Sequence, residues 1–208
     1  MTFRATSLAA AATAAVVAVA GAGTAQARLI DLHAGVEAGG MGGWGTTANT
    51  PDFFGHSRGG AVGFDLGLKL LVFDLGVDFT QILDGSGAAG TLTQFRLGFV
   101  IDIPVGPTNL PNGQSANIVR PSVVGGFAFG TPGPVSPPLD AAQVSDKGVV
   151  TWGRLEYEHF FNDFLGVGAK GQFGWHYFLG GTAVNSSQAH SQGYQAAGFA
   201  TATFHLGI

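Results

Sequence analysis

The sequence predicts an all-β chain: eight antiparallel strands closed into a barrel that crosses a membrane, behind an N-terminal signal peptide. Three observations carry that prediction. Hydrophobicity alternates with period two in eight separate stretches. Charged residues are only 11% of the 208, against about 25% in a typical soluble domain, and inside those stretches they keep to one phase. No helix-length apolar run follows the first segment. A chain with no spanning helix can cross hydrocarbon only as a closed barrel, because every backbone N–H and C=O must find its partner within the structure.

Composition narrows the function classes. The chain has no cysteine, which excludes disulfides, thiolate metal sites and a cysteine-linked lipid anchor. Nine basic residues stand against thirteen acidic ones, so there is no basic face for nucleic acid. The 46% apolar content and its regular patterning argue against a disordered chain. No cofactor is expected.

Residues 1–27 read as the signal peptide. Arg4 supplies the positive start, Leu8 to Ala20 is an uncharged Ala/Val-rich run, and Ala25-Gln26-Ala27 fits the small-x-small cleavage pattern. Residues 28–208 form a single barrel domain beginning at Arg28.

The strands follow in order. At 29–38, Ile30, Leu32, Ala34, Val36 and Ala38 alternate with Asp31, His33 and Glu37. At 61–70, Val62, Phe64, Leu66, Leu68 and Leu70 oppose Asp65 and Lys69; at 71–80, Leu71, Phe73, Leu75, Val77 and Phe79 oppose Asp74 and Asp78. At 94–103, Phe95, Leu97, Phe99, Ile101 and Ile103 oppose Arg96 and Asp102. The fifth, 117–129, sets Val119, Val123, Phe127 and Phe129 against Arg120 and carries a strand-weakening Pro121. At 149–160, Val149, Leu155 and Tyr157 oppose Arg154, Glu156 and Glu158. At 165–179, Leu165, Val167, Ala169, Phe173, Trp175, Tyr177 and Leu179 oppose Lys170 and His176. At 196–208, Ala200, Ala202, Phe204, Leu206 and Ile208 oppose His205. One apolar side per strand is the pattern of a sheet with two unlike faces.

A soluble sandwich also alternates, with its apolar side in a protein core. Two features favour lipid instead. Strands of about ten residues match a tilted membrane crossing. Aromatic residues gather at both ends of the apolar stripes: Phe79, Phe95, Phe127, Phe129, Trp175 and Tyr177 at one, Phe73, Tyr157, Phe161, Phe164 and Phe204 at the other. Two such girdles mark outer-membrane barrels, and an even strand count then puts both termini on the periplasmic side. The outward connections are 39–60, 81–93, 130–148 and 180–195. The inner ones are a turn near 70–71, the long 104–116 and a turn at 162–164.

An eight-stranded barrel has a bore just wide enough for side chains to fill. Eight acids (Asp31, Glu37, Asp65, Asp74, Asp78, Asp102, Glu156 and Glu158) and five bases (Lys69, Arg96, Arg120, Arg154 and Lys170) share the inner phase with His33, His176 and His205. Buried unpaired charges are costly, so these are expected to join in one polar network. The Asn162-Asp163-Phe164 turn sets Glu156 opposite Lys170 and Arg154 opposite Gln172, and opposite charges facing across a sheet attract.

Other motifs carry less. Gly40 to Gly45 and Gly85 to Gly90 both match G-x-G-x-x-G, but both read as loops and neither opens a helix, so no dinucleotide site follows. His56-Ser57 and His190-Ser191 admit a loop hydrolase only as a minor alternative. In the first outward loop, Trp44, Phe53, Phe54, His56 and Arg58 are the candidates for external contacts.

On this strand pattern the chain resembles the small eight-stranded outer-membrane barrels of the OmpA/OmpX type, over its whole mature length and without a periplasmic domain. The closing run Gly198 to Ile208 looks like the terminal strand read by the barrel-assembly machinery, with Ile208 where an aromatic residue is usual. The resemblance implies a bacterial outer-membrane location, outer-membrane lipid around the barrel, and a non-enzymatic envelope or surface-interaction role. The alternatives are a narrow channel for small ions or solutes and a lipid A-modifying enzyme.

Overall fold

The computed structural model describes residues 29–45, 58–83, 90–107, 110, 115–132, 147–182 and 188–207. Residues 1–27, where a signal peptide is expected, lie outside them, together with Phe53, Phe54 and His56. The strands are β1 (Ile30–Gly45), β2 (Gly59–Leu70), β3 (Phe73–Ile82), β4 (Gly90–Val100), β5 (Ile103–Pro104), β6 (Asn117–Pro132), β7 (Lys147–Phe160), β8 (Leu165–Thr182) and β9 (Gln188–Gly207). Each pairs antiparallel with its neighbours in the order β4-β3-β2-β1-β9-β8-β7-β6-β5, and a β4–β6 pairing closes the ring. The result is an eight-stranded barrel, with the two residues of β5 appended to β6. Closure pairs each of the eight barrel strands with a neighbour on both sides.

The alternation is as the sequence predicts, and its sense is inside-out relative to a soluble protein. Leu97 is 56% exposed, Val123 65% and Phe127 62%, whereas Asp78 is 3% exposed, Glu158 0% and His205 2%. Aliphatic and aromatic side chains clothe the outside while carboxylates and guanidinium groups fill the middle.

Several boundaries differ from the sequence-based expectation. β1 runs on to Gly45 and β9 begins at Gln188, so Gly40 to Gly45 is strand and not loop. These extensions are rich in Gly, Ala, Gln and Ser, which show no hydrophobic alternation; the neighbouring strand holds them through ladder pairs such as Trp44↔Tyr194. The β2–β3 hairpin turns at Leu71 and Val72, one residue later than expected, and β3 begins at Phe73. Leu71 has φ of 57°, a left-handed conformation that costs a non-glycine residue about 1–2 kcal/mol. β4 stops at Val100, and Asp102 follows it in the break before β5. That break accommodates Pro121. Pairing to β6 runs to Val100↔Ser122 and resumes at Ile103↔Val119, so proline's missing N–H falls where the adjacent strand is interrupted. The turn after β7 is as anticipated: Asn162 Oδ1 accepts from the N–H groups of Phe164 (2.8 Å) and Leu165 (2.9 Å), and Glu156↔Lys170 and Arg154↔Gln172 are register partners.

The bore has two halves. Toward the short-turn end, where β1 starts and β9 stops, it is filled by charge. Toward the long-loop end it is apolar: Met41, Ile82, Leu92, Val124, Ala128, Val150, Trp152, Phe178 and Phe199 pack together, with Ile82 and Phe178 fully buried. The charge pattern of the sequence predicts a polar interior throughout, and the apolar half departs from that. Extending the inner phase of β3, β6, β7 and β8 toward the long loops leads from Asp78 to Ile82, Arg120 to Val124, Arg154 to Val150 and Lys170 to Phe178, and that continuation was the available signal.

Candidate functional site

All eight barrel strands contribute to the charged half. On β4, Arg96 is its centre. Its Nε donates to Asp74 Oδ2 at 2.9 Å and its Nη1 to Asp78; its Nη2 lies 3.4 Å from Asp65 Oδ2 and 3.1 Å from His33 Nε2. Arg154 from β7 donates to the other Asp78 oxygen at 2.6 Å. A guanidinium offers five donors in a fixed fork, which is how one arginine serves carboxylates from β2 and β3 together.

The group needs room, and glycines supply it. A Cβ at Gly76 would sit 2.6 Å from Arg96 Cζ and 2.7 Å from the backbone oxygen of Leu66, and one at Gly166 would sit 2.2 Å from Glu158 Oε1. Neither side chain can step aside without breaking an ion pair.

Nearer the short-turn end, Arg120 Nε donates to Asp102 Oδ1 at 2.9 Å, its Nη1 binds Glu158, and Glu156 Oε1 lies 3.9 Å away. Lys69 reaches the same Asp102. This acid, carried in on the 101–116 connection, therefore ties the connection to β2 and β6. His205 bridges Asp31 at 2.8 Å and Glu158 at 3.0 Å. Lys170 pairs with Glu37 of β1 and lies 5.2 Å from the Phe199 ring. Register neighbours and ion partners thus differ: Lys170 sits beside Glu156 in the ladder, yet its ammonium goes to Glu37.

Every one of the sixteen interior candidates lies in the bore. Fifteen belong to the charged half. His176 is the exception, fully buried in the apolar half against Gln195 and 5.1 Å from the Phe178 ring. Of the three inner-phase histidines, His33 and His205 meet, with ring centroids 6.0 Å apart. Residues including Asp65, Asp74, Arg154 and Thr201 line a pocket of about 60 Å³, room for a few water molecules. Among the described residues no group of three or more ligating side chains is placed to hold a metal ion.

The outer face supplies different chemistry. Trp44 is 53% exposed on β1, and its ring lies 6.2 Å from those of Phe173 and Tyr194. Arg58 is exposed ahead of β2, where a Cβ added at Gly42 would lie 3.1 Å from the Arg58 Cβ. His190 lies in β9 opposite Leu179; its side chain is outside the description.

No protein-family model matches the chain, and no curated protein matches its sequence. Solved structures do. The outer membrane protein OprG from Pseudomonas aeruginosa is similar with a TM-score of 0.51 at 10% identity, over 87% of this chain and 98% of that one. The N-terminal β-barrel domain of Pseudomonas aeruginosa OprF gives a TM-score of 0.43 at 14% identity, over 84% and 97%. Neisserial surface protein A gives 0.40 at 12%, over 82% and 95%. At such identities the likeness concerns the fold, and the fold of this chain is that of the small eight-stranded outer-membrane barrels.

Proposed function

We propose that this protein is an integral barrel of the bacterial outer membrane, with a closed interior and a structural or surface-contact role carried by its long loops. The exposed belt of Leu, Val and Phe is the lipid-facing surface. On this reading the short-turn end of the barrel faces the periplasm, which the even number of strands supports. The partners expected on this reading are outer-membrane lipid and, during insertion, the barrel-assembly machinery acting on the last strand. No catalytic role is assigned.

The observation that carries the closed interior is the double filling of the bore. One half is occupied by interlocked ion pairs, the other by a packed apolar layer around Trp152 and Phe178, and the polar pocket among the ion pairs measures about 60 Å³. A hydrated ion crossing from end to end has to displace both. Purified protein in planar bilayers is expected to stay electrically silent at moderate voltage. Steady ohmic steps from the wild type would replace this reading with the narrow channel.

A further inference from the structure

We infer that the outer wall across β2, β1, β9 and β8 carries a docking groove for a lipid with an anionic phosphate headgroup, the phosphate at Arg58 and an acyl chain along a floor of glycine and alanine. The inference rests on the membrane reading proposed above and gives one face of the barrel a preferred occupant.

The groove follows from the register. Gly60, Gly40, Gly198 and Gly171 are successive ladder partners across these four strands. All four fall on the outward phase, the one that carries Phe64, Val36, Phe204 and Phe173 on the same strands. The next row toward the long loops runs from Gly42 to Ala196 and Phe173, and the next row the other way from Ala38 to Ala200 and Ala169. Where the rest of the wall stands on Leu, Val and Phe side chains, this face is a shallow depression, bordered by Leu155, Tyr157 and Phe173.

Crowding does not account for these glycines. A Cβ at Gly171 or Gly198 would meet nothing within 4 Å. Inward glycines differ: a Cβ at Gly126 or Gly174 would collide with the backbone oxygen of Phe95 or Thr151. The β8–β9 ladder has no register shift at Gly171 or Gly198, so no bulge calls for them. Glycine weakens a strand, and where neither crowding nor a bulge requires it, it marks a place where a ligand or another backbone comes close.

The rim indicates what comes close. At the long-loop end stand the half-exposed rings of Trp44, Phe173 and Tyr194, in contact with one another. Amphipathic rings suit the boundary between headgroups and acyl chains. Arg58 is exposed at the same end, across from Gly42, and a guanidinium pairs with phosphate through parallel hydrogen bonds. None of the described outward residues of β1, β2, β8 and β9 is acidic. A second copy docked by the same face would therefore bring no carboxylate to Arg58, and one apolar wall against another gains no hydrophobic free energy inside a bilayer. An anionic lipid supplies both the charge and the chain.

The test uses the mature full-length protein in vesicles of phosphatidylcholine mixed with phosphatidylglycerol, with one lipid or the other brominated on its acyl chains. Trp44 and Trp175, which flank Tyr194 in the ladder, report on the rim, while Trp152 is buried in the bore. Quenching should show phosphatidylglycerol enriched roughly fivefold at the rim, the contribution of one arginine at an anionic membrane surface. The enrichment should fall to parity in Arg58→Gln. It should also fall in the double variant Gly171→Leu with Gly198→Leu, which fills the floor and keeps the cation. Lys147→Gln, at the start of β7, should leave it unchanged. Parity in the wild type overturns the inference and leaves the membrane reading standing. So does an enrichment that survives the filled floor, because surface charge alone then produces it. Quenching that appears only when the protein is diluted in the vesicles assigns the face to a second copy and overturns the inference as well. No quenching by either lipid at any dilution overturns the membrane reading itself. Should the double variant fail to fold, Gly198→Val alone provides the comparison.

Discussion

The two halves of the bore block the same passage by opposite physics. The charged half is made of groups that each resist leaving water, and it holds because Arg96 and Arg120 are each shared among three carboxylates and Asp78 is shared between Arg96 and Arg154. The apolar half is made of groups that leave water readily, and it holds by close packing. The charged half is therefore cooperative and intolerant of losing one member. The apolar half should yield gradually, methylene by methylene.

The largest expected effect falls at the centre of the charged half. Arg96→Met leaves Asp78 with Arg154 and takes from Asp65 and Asp74 the arginine that they share, and stranding buried charge in this way costs about 3–5 kcal/mol. Urea titration of tryptophan fluorescence in lipid vesicles measures it. A cost under about 1 kcal/mol, the range of exposed pairs, would mean that the network is solvated and does not lock the barrel.

In the apolar half, Phe178→Leu removes part of a fully buried ring and should cost about 1–2 kcal/mol, smaller than the truncation to alanine. If it costs more than Arg96→Met, the ranking of the halves is reversed. The smallest effect lies outside the bore. Leu71 is 60% exposed in a left-handed conformation, so Leu71→Gly relieves backbone strain at little loss of burial. After glycine's greater flexibility in the unfolded chain is discounted, a gain of about 0.5 kcal/mol is expected. A loss of stability there would show that the turn relies on the leucine side chain.

The charged half was legible in the sequence and the apolar half was not, for a physical reason. A charge on a strand declares which face is inside, because Asp78 or Arg96 can face neither lipid nor a dry core without partners. An apolar residue makes no such declaration: Val123 and Val124 are chemically identical, one exposed to 65% and the other to 1%. Only their phase relative to Arg120 separates them. Ladder neighbours were readable too, since the Asn162 turn fixes the β7–β8 register. Ion partners were not, because Lys170 reaches across to Glu37 on β1, and such a choice depends on barrel shear and on rotamers. The extended ends of β1 and β9 were hidden by glycine and alanine, which are strand residues here because their neighbours are.

The central claim is that the greasy phase of each strand touches lipid. The chain has no cysteine, so single cysteines placed along β6 from 122 to 129 can each carry an environment-sensitive fluorophore in vesicles doped with brominated lipid. The account predicts quenching that alternates with period two, strong at the positions of Val123, Phe127 and Phe129 and weak at those of Val124 and Ala128. Quenching at the even positions, or none at any, would contradict it.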